Sequence, residues 1–511
     1  MQDRLGEEHE RVVPASERHA RGQYFTPFPL IELVLDRCPG VPSVVLDPAC
    51  GSGRFLMVAR TRWPDAALRG FETDPVALEL AGRNLSDATL GASSFLEAEP
   101  TGDVDLLIGN PPYVRDRGRK RDLYVDFIER AADWLRPGGR LALVLSSAWL
   151  DVGYGAEVRG ILRARFAVEA LVESAAERWF PGAKVNTMVL IARREDDGAA
   201  RDASEVELVT LTEPLPSRVG AERRVRQREL AVDAPWGLVL RAPDVWLERR
   251  SASATLGGLA SIRRGFTTND NRFFYPPSSS GIEDASLRPL LKSPKRIPGV
   301  RARASALAEQ VFLVGAESVG PGAAAWMAKG GRPRDACVLP LQVPSRLFLP
   351  KGYGDRLRAT LFDAPVYCDQ QLYQVRPRKG VDARALAALL NSSWFRLGLE
   401  LVGRVNFGDG VLWLGLKDAR SIPLPDPRPV SEALAAAFDA LPDGSVPPLP
   451  ALFDDPGWAR ATGRIDAIVF ELLGLSPLEA HVVRATAIAL CVRRARKAAS
   501  ARNRGARSRS E

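Results

Sequence analysis

Along its first part, the chain alternates short uninterrupted apolar runs with stretches whose apolar residues recur at helical spacing. Leu30, Ile31, Leu33, Val34 and Leu35 form such a helical face, behind Thr26 as a suitable N-cap and Pro27 as a suitable first helical residue. Val44 to Leu46 reads as a buried strand, running into the glycine-bearing DPACGSG (Asp47 to Gly53) and an amphipathic helix from Arg54. The pattern then repeats. Leu68 to Glu72 is a second strand, with Asp74 and Pro75 opening the next helix, and Val104 to Ile108 is a third. A helix from Tyr124 to Leu135 is stopped by Pro137 to Gly139. Strands follow at Leu141 to Leu145, Val168 to Val172, Val185 to Ile191 and Val206 to Leu211, with a helix around Glu157 to Arg165. Apolar strands alternating with helices predict an α/β fold, a mostly parallel sheet with helices on both faces.

Beyond Arg193 the pattern changes. Residues 196–250 are polar and arginine-rich and read as a connecting segment. Residues 251–430 lose the strand–helix alternation. Ser261 to Tyr275 pairs arginines with short polar side chains around a turn, Gln371 to Arg376 reads as a strand, Leu386 to Leu401 as helix, and Val405 to Asp426 as a glycine-rich turn with strands, together an α+β module presenting loops. Residues 431–490 are rich in alanine and leucine and read as helical, most clearly at Arg464 to Leu473. A polar leader (1–20) and a basic tail expected to be disordered (491–511) complete the organisation, and no internal repeat is found.

Composition narrows the function. With 511 residues and 46% hydrophobic content, the chain can build two or three cores. No run of about 18 apolar residues occurs, and the N-terminus is charged where a signal peptide has its apolar core, so a cytoplasmic protein without a membrane span is expected. Five scattered cysteines without CxxC spacing and three histidines remote from them predict neither disulfides nor a metal site, nor histidine acid–base chemistry. The net charge of +8 is a property of the tail: Arg493 to Glu511 holds eight basic residues and one acid, leaving +1 for the rest. Such a tail suits non-specific phosphate contact or solubility equally.

The chemistry-bearing stretch is DLLIGNPPY, Asp105 to Tyr113. After Gly109, two prolines fix φ and remove two amide donors, leaving Asn110 with a side-chain carbonyl, Pro111 with a backbone carbonyl and Tyr113 with a flat aromatic face. A planar amino-heterocycle stacked on Tyr113 can donate both amine hydrogens to those oxygens, which frees the nitrogen lone pair for attack. An isolated NPPY is equally compatible with a proline-rich turn closed by a packing tyrosine. Context favours the chemistry. Gly51 and Gly53 let backbone approach a ligand, Asp47 ends the first strand, and Glu72 ends the second about 20 residues on, where a carboxylate reaches a ribose. Leu56 stands at the third position of the dinucleotide fingerprint, which points to a nucleoside without a pyrophosphate.

Taken together, QYFTP (Gln23 to Pro27), DPACGSG, FETDP (Phe71 to Pro75), NPPY and WFPGAK (Trp179 to Lys184) resemble, in order, the motifs of gamma-class DNA adenine-N6 methyltransferases. The resemblance covers residues 21–195 and implies a Rossmann-like class I methyltransferase domain using S-adenosyl-L-methionine, followed by a target-recognition domain. It assigns Thr26, Asp47, Ala49, Gly51, Gly53 and Glu72 to the cofactor, with Phe127 near the cofactor adenine. It assigns Asn110, Pro111, Pro112 and Tyr113 to catalysis and Phe180 to the far edge of the flipped base. About sixteen residues before the catalytic asparagine the family carries an acid; Ser94 stands here, with Glu97 as the nearby alternative.

The resemblance also implies double-stranded DNA as partner, a separate restriction endonuclease, and phosphate or base contacts from Arg263, Arg264 and Arg272 in SIRRGFTTNDNRFFY. The implied reaction is methyl transfer to N6 of an adenine rotated out of the duplex and held between Tyr113 and Phe180. Methylation of RNA bases or protein glutamine is the alternative within the fold, because NPPY serves planar amines and amides generally. A DNA-binding specificity subunit with impaired catalysis is the alternative outside it. No acid–acid–lysine nuclease constellation is found, and a leader of about 20 residues is too short for a nuclease domain.

Overall fold

The computed structural model describes residues 24–114, 121–151, 155–180, 186–251, 253–314, 319–333, 337–339, 342–405 and 410–507. The expected leader, Gln23 of QYFTP, and Pro181 to Val185 lie outside them. The chain divides into two compact units, one ending at Arg241 and including residues from Arg496 on, the other spanning Ala242–Ala495.

The first unit is built on a nine-stranded sheet. Its elements are α1 (Phe28–Asp36), β1 (Val44–Asp47), α2 (Arg54–Arg62), β2 (Ala67–Phe71), α3 (Pro75–Asn84), β3 (Thr89–Gly91), β4 (Val104–Gly109), α4 (Tyr124–Trp134), β5 (Leu135–Ser146), α5 (Gly155–Arg165), β6 (Phe166–Ser174), β7 (Thr187–Arg194), α6 (Gly198–Ala203), β8 (Glu205–Leu211), β9 (Gly220–Arg226) and α7 (Trp236–Arg241). The spatial order is β3-β2-β1-β4-β5-β7-β6-β8-β9. Strands β1 to β5 run parallel, as does β8 with β6, while β7 is antiparallel to both neighbours and β9 to β8.

The uninterrupted apolar strands are explained by burial on both faces. In β4, Leu106 and Ile108 join the cluster containing Leu30, Val34, Leu56 and Ala59 of α1 and α2, whereas Val104 and Leu107 join the opposite one, with Val125, Ile128 and Leu162 of α4 and α5. Between β1 and β4 the strand order reverses. The connections leave to opposite faces there, and the carboxyl ends of the two strands open a crevice.

Two expectations about local structure need correction. Thr26 does not cap α1: Pro27 occupies the cap position in an extended conformation, no side chain caps the helix, and Thr26 itself is buried. The segment 196–250 is not a connection, since β8 and β9 extend the sheet. Across their ladder Arg224 bridges Glu205 and Glu207.

The second unit has a mixed sheet of six strands in a row, Ala260–Arg264, Leu372–Pro377, Ser345–Pro350, Thr360–Cys368, Leu287–Leu291 and Gln310–Phe312, with Arg301–Ala302 pairing the fourth. Helices Ala383–Leu389, Ser393–Val402, Ser431–Asp439 and Pro456–Leu472 accompany it, with the part of helix Pro477–Arg507 that precedes Arg496. Residues 431–490 are tied into this unit by Asp466, which is fully buried and accepts from Ser393 and Arg484. The tail expected to be disordered from residue 491 continues the last helix to Arg507, and Arg494 is buried in an ion pair with Glu400 at 2.7 Å. Alanine and arginine favour helix, and that buried partner anchors the segment. Among the described residues no helix is long and apolar enough to cross a membrane.

Candidate functional site

The ends of β1, β2 and β4, with the loop after β3, bring the sequence motifs of the first unit to one place. Loop 48–53 turns on two glycines at positive φ, Gly51 at +54° and Gly53 at +87°. Gly53 stands at the N-cap of α2, where a Cβ would lie 2.8 Å from Leu85 Cδ1. Glu72, just past β2, organises this loop. One carboxylate oxygen accepts from Gly51 N–H at 2.9 Å, and the other from Thr73 and Asp74 N–H at 2.9 Å each. Asp74 in turn caps α3 by accepting from Val76 and Ala77, with Pro75 in the first turn.

Asp47 is buried beneath the loop and accepts from Ala49 N–H at 3.0 Å. Burial pushes its carboxyl up to about 8, the charge of Glu72 adding to the rise while the Ala49 hydrogen bond opposes it. Next to it, Gly109 ends β4 at φ +153°, and a Cβ there would stand 2.6 Å from Asp47 Oδ1. Glycine at 109 is what lets β4 pass that carboxyl.

A cavity of about 610 Å3 opens over these loops. Ala49, Gly51, Glu72, Ser94, Asn110, Pro112 and Phe127 line it, together with Tyr24, Phe25 and Phe71 among others. Its size falls in the roughly 300–1,000 Å3 range of small-molecule sites. One wall is aromatic: Phe95 stacks on Phe127, with centroids 5.5 Å apart and planes 17° from parallel, and meets Phe71 edge-on at 6.0 Å. At that wall Ser94 makes a turn, its hydroxyl accepting from Leu96 N–H at 3.2 Å. Glu97, the nearby acid, is exposed and does not line the cavity.

The diproline corner lines the same cavity through Asn110 and Pro112. Asn110 Nδ2 donates to the Tyr24 carbonyl at 3.2 Å, and Asn110 Oδ1 accepts from the Tyr113 hydroxyl. That hydroxyl also lies 3.2 Å from the Val144 carbonyl. Burial lifts the Tyr113 phenol well above the usual tyrosine range. Pro111 is buried while Pro112 is half-buried, and Phe180 is buried with its ring 6.0 Å from that of Tyr24.

Seven of the candidate site residues therefore share the cavity, while Thr26, Asp47, Gly53, Pro111, Tyr113 and Phe180 do not line it. Sequence reasoning gives no individual role to Tyr24, Phe25, Phe71 and Phe95. The first three lie within QYFTP and FETDP and Phe95 follows Ser94, so aromatic character inside or beside those segments is the available signal. In the second unit Arg263, Arg264 and Arg272 are exposed and have no ion-pair partner among the described residues. Also among the described residues, no group of three or more histidine, cysteine or acidic side chains is placed to hold a metal.

Residues 32–163 match the family model of the methyltransferase small domain. The chain is 25% identical over 319 residues to the type II methyltransferase M.XamI of Xanthomonas campestris pv. amaranthicola, covering 55% of this chain and 59% of that protein. It is 27% identical over 252 residues to M.PaeR7I of Pseudomonas aeruginosa, covering 38% and 44%, and 28% identical over 282 residues to M.TthHB8I of Thermus thermophilus, covering 50% and 60%. The alignments thus span roughly half the length of these relatives. Among solved structures it is similar to the type IIG restriction endonuclease BpuSI, with a TM-score of 0.48 and 14% identity over 96% of this chain and 68% of that one. The doubly wound sheet, the glycine loop with its acidic partner and the match over residues 32–163 agree: this chain carries a methyltransferase small domain, and it is similar to the type II methyltransferases.

Proposed function

We propose that the protein transfers a methyl group from S-adenosylmethionine to the N6 amine of an adenine rotated out of double-stranded DNA. One observation carries this reading: Asn110 and Pro112 line the same cavity as Gly51, Glu72 and Ser94, at the carboxyl ends of adjacent strands. An amine-orienting corner and a nucleoside-sized site therefore open into the same space.

The residues present fit that cofactor. Glu72 retains acceptor capacity for a ribose, Phe71 and Phe127 offer faces to a purine, Ser94 offers a hydroxyl beside them, and the buried Asp47 fixes the loop that carries Ala49 and Gly51. When bound, S-adenosylmethionine would supply an electrophilic methyl carbon to the amine nitrogen, the carbon–sulfur electrons returning to sulfur and the amine's surplus proton passing to solvent. The protein's part is orientation. Asn110 Oδ1 and the Pro111 carbonyl accept the two amine hydrogens, which turns the lone pair out of conjugation with the ring. Tyr113 and Phe180 hold the base by stacking, worth about 1–3 kcal/mol, against an unstacking cost of a few kcal/mol. No covalent enzyme intermediate is required.

The second unit reads the sequence context, with Arg263, Arg264 and Arg272 at phosphates or base edges; their exposure without acidic partners among the described residues supports this. The enzyme acts in the cytoplasm beside a separate restriction endonuclease. Incubation of the full-length protein with methyl-labelled cofactor and genomic DNA, RNA or a release-factor-like protein tests the reading, followed by identification of the modified group. Label in N6-methyladenine of DNA is expected. Label only in RNA or protein, or none in any arm, refutes it.

A further inference from the structure

The aromatic ring that this reading gives to the target base already has a stacking partner. Tyr24 stacks on Tyr113 with centroids 6.0 Å apart and planes 27° from parallel, and meets Phe180 edge-on at 6.0 Å and 63°. Its backbone carbonyl takes the hydrogen bond from Asn110 Nδ2. The Tyr24 ring thus meets both rings assigned to the base, while its backbone carbonyl holds the Nδ2 side of the orienting amide. A flat ring lying against those two rings has the shape of an occupant.

The same segment reaches the cofactor side. Tyr24 and Phe25 both line the cavity shared with Gly51 and Glu72, and the guanidinium of Arg54, first residue of α2, lies 4.9 Å from the centre of the Phe25 ring. Two adjacent residues therefore touch both halves of the site.

We propose that Tyr24 is the resting occupant of the target-base subsite, so that a base is captured only when this ring leaves, and that its departure is coupled through Phe25 to occupancy of the cofactor cavity. The proposal rests on the base-capture reading above. Two rings cannot stack on one face of Tyr113, so apparent base affinity is lowered by the fraction of molecules in which Tyr24 remains in place. Ligand in the neighbouring cavity, by repositioning Phe25, raises the competent fraction.

The test uses full-length protein and the fluorescent nucleoside 2-aminopurine 2′-deoxyriboside, whose emission is quenched on stacking, titrated with and without S-adenosylhomocysteine. Tyr24→Ala is expected to bind the nucleoside about tenfold tighter than wild type, within the range of one base–aromatic stack, and to do so whether or not S-adenosylhomocysteine is present. Wild type and Tyr24→Phe, which keep the ring, are expected to gain affinity only when S-adenosylhomocysteine is added. Equal or weaker binding by Tyr24→Ala, absence of binding in every protein, or Tyr24→Phe behaving like Tyr24→Ala overturns the proposal.

Should Tyr24→Ala fail to fold, Tyr24→Cys gives a second readout. The five native cysteines are buried, so the added thiol should dominate labelling, slowly in the free protein and several-fold faster with nucleoside and S-adenosylhomocysteine together. An unchanged rate counts against displacement. Failure of the activity itself is separable: wild type that methylates no DNA refutes the proposed function, whereas active wild type with three identical nucleoside titrations refutes only the role of Tyr24.

Discussion

Gly109→Ala tests the link between the sheet and the site most directly. Residue 109 has φ +153°, a region essentially reserved to glycine, and an added Cβ would stand 2.6 Å from Asp47 Oδ1 and 3.2 Å from its Cγ. Backbone strain of about 1–3 kcal/mol should lower the melting temperature of a unit this size by roughly 2–12 °C. The close approach does something more specific. To reach the 3.4 Å of ordinary contact the carboxyl must retreat by about 0.8 Å, which stretches its 3.0 Å hydrogen bond from Ala49 and releases the loop carrying Gly51. Losing one such bond costs about 0.5–1.5 kcal/mol, so calorimetry should find S-adenosylhomocysteine bound roughly 2- to 12-fold more weakly. Gly138→Ala is the control. Gly138 also has positive φ, +78°, but a Cβ there meets only Arg136 Nη1, at 3.8 Å, so the variant should lose stability while binding normally. A folded Gly109→Ala protein with wild-type affinity would refute the idea that Asp47 sets the loop.

Four other outcomes are expected. Asn110→Ala should reduce methyl transfer far more than S-adenosylhomocysteine binding, and equal losses in the two would contradict an orienting role. Tyr113→Phe keeps the stacking ring but removes the hydroxyl that donates to Asn110 Oδ1, so activity should fall by up to about tenfold, the worth of one neutral hydrogen bond; an unchanged rate would mean that bond does not orient the amide. Asp47 has its carboxyl raised by burial to about 8 against an unfolded value of 3.8, so the native state holds more protons between those values and its stability falls as pH rises through that window; Asp47→Asn should flatten the melting profile between pH 5 and 8, and an unaltered slope would falsify the assignment. Replacing Arg263, Arg264 and Arg272 together with alanine should make the salt dependence of DNA binding shallower by about 0.9 for each phosphate no longer neutralised, and an identical slope would remove them from the interface.

The parts of the fold legible in the sequence are those where one physical constraint dominates. Apolar patterning predicts β1 at Val44 to Leu46, and it runs Val44–Asp47; it predicts β4 at Val104 to Ile108, and it runs Val104–Gly109, because strands buried on both faces are dominated by apolar residues. The polar β9 escapes detection for the converse reason. Its sequence, GAERRVR, resembles a linker, and only pairing with β8 shows that Glu205 and Glu207 satisfy its arginine. Tail composition misleads similarly, since Arg494 counts as a solvent charge until Glu400 is found across from it. In the site, Glu72 and Asn110 are marked by strand ends and glycine spacing. Tyr24 is not, because what matters about it is which rings it lies between, a relation set by tertiary folding.

On the function proposed above, Ser94 stands where the resemblance implies an acid, and the cavity would compensate for that charge. A carboxylate at this position would accept strongly from an exocyclic amine, contributing about 1.5–3 kcal/mol against 0.5–1.5 for a hydroxyl. Here the same loop supplies Phe95 immediately after Ser94, and Phe95 braces Phe127 by stacking while packing against Phe71 and Trp134. That cluster fixes two lining rings without using a titratable group, so a purine finds preorganised apolar faces in place of one strong acceptor. Stacking on a face is worth about 1–3 kcal/mol, enough to offset the weaker hydrogen bond. The trade has a consequence for selectivity. A carboxylate discriminates an amine from a carbonyl oxygen by charge, whereas a hydroxyl can donate or accept and an aromatic wall is indifferent to either. This site should therefore distinguish adenosine from inosine at the cofactor end less sharply than one with an acid in the same place.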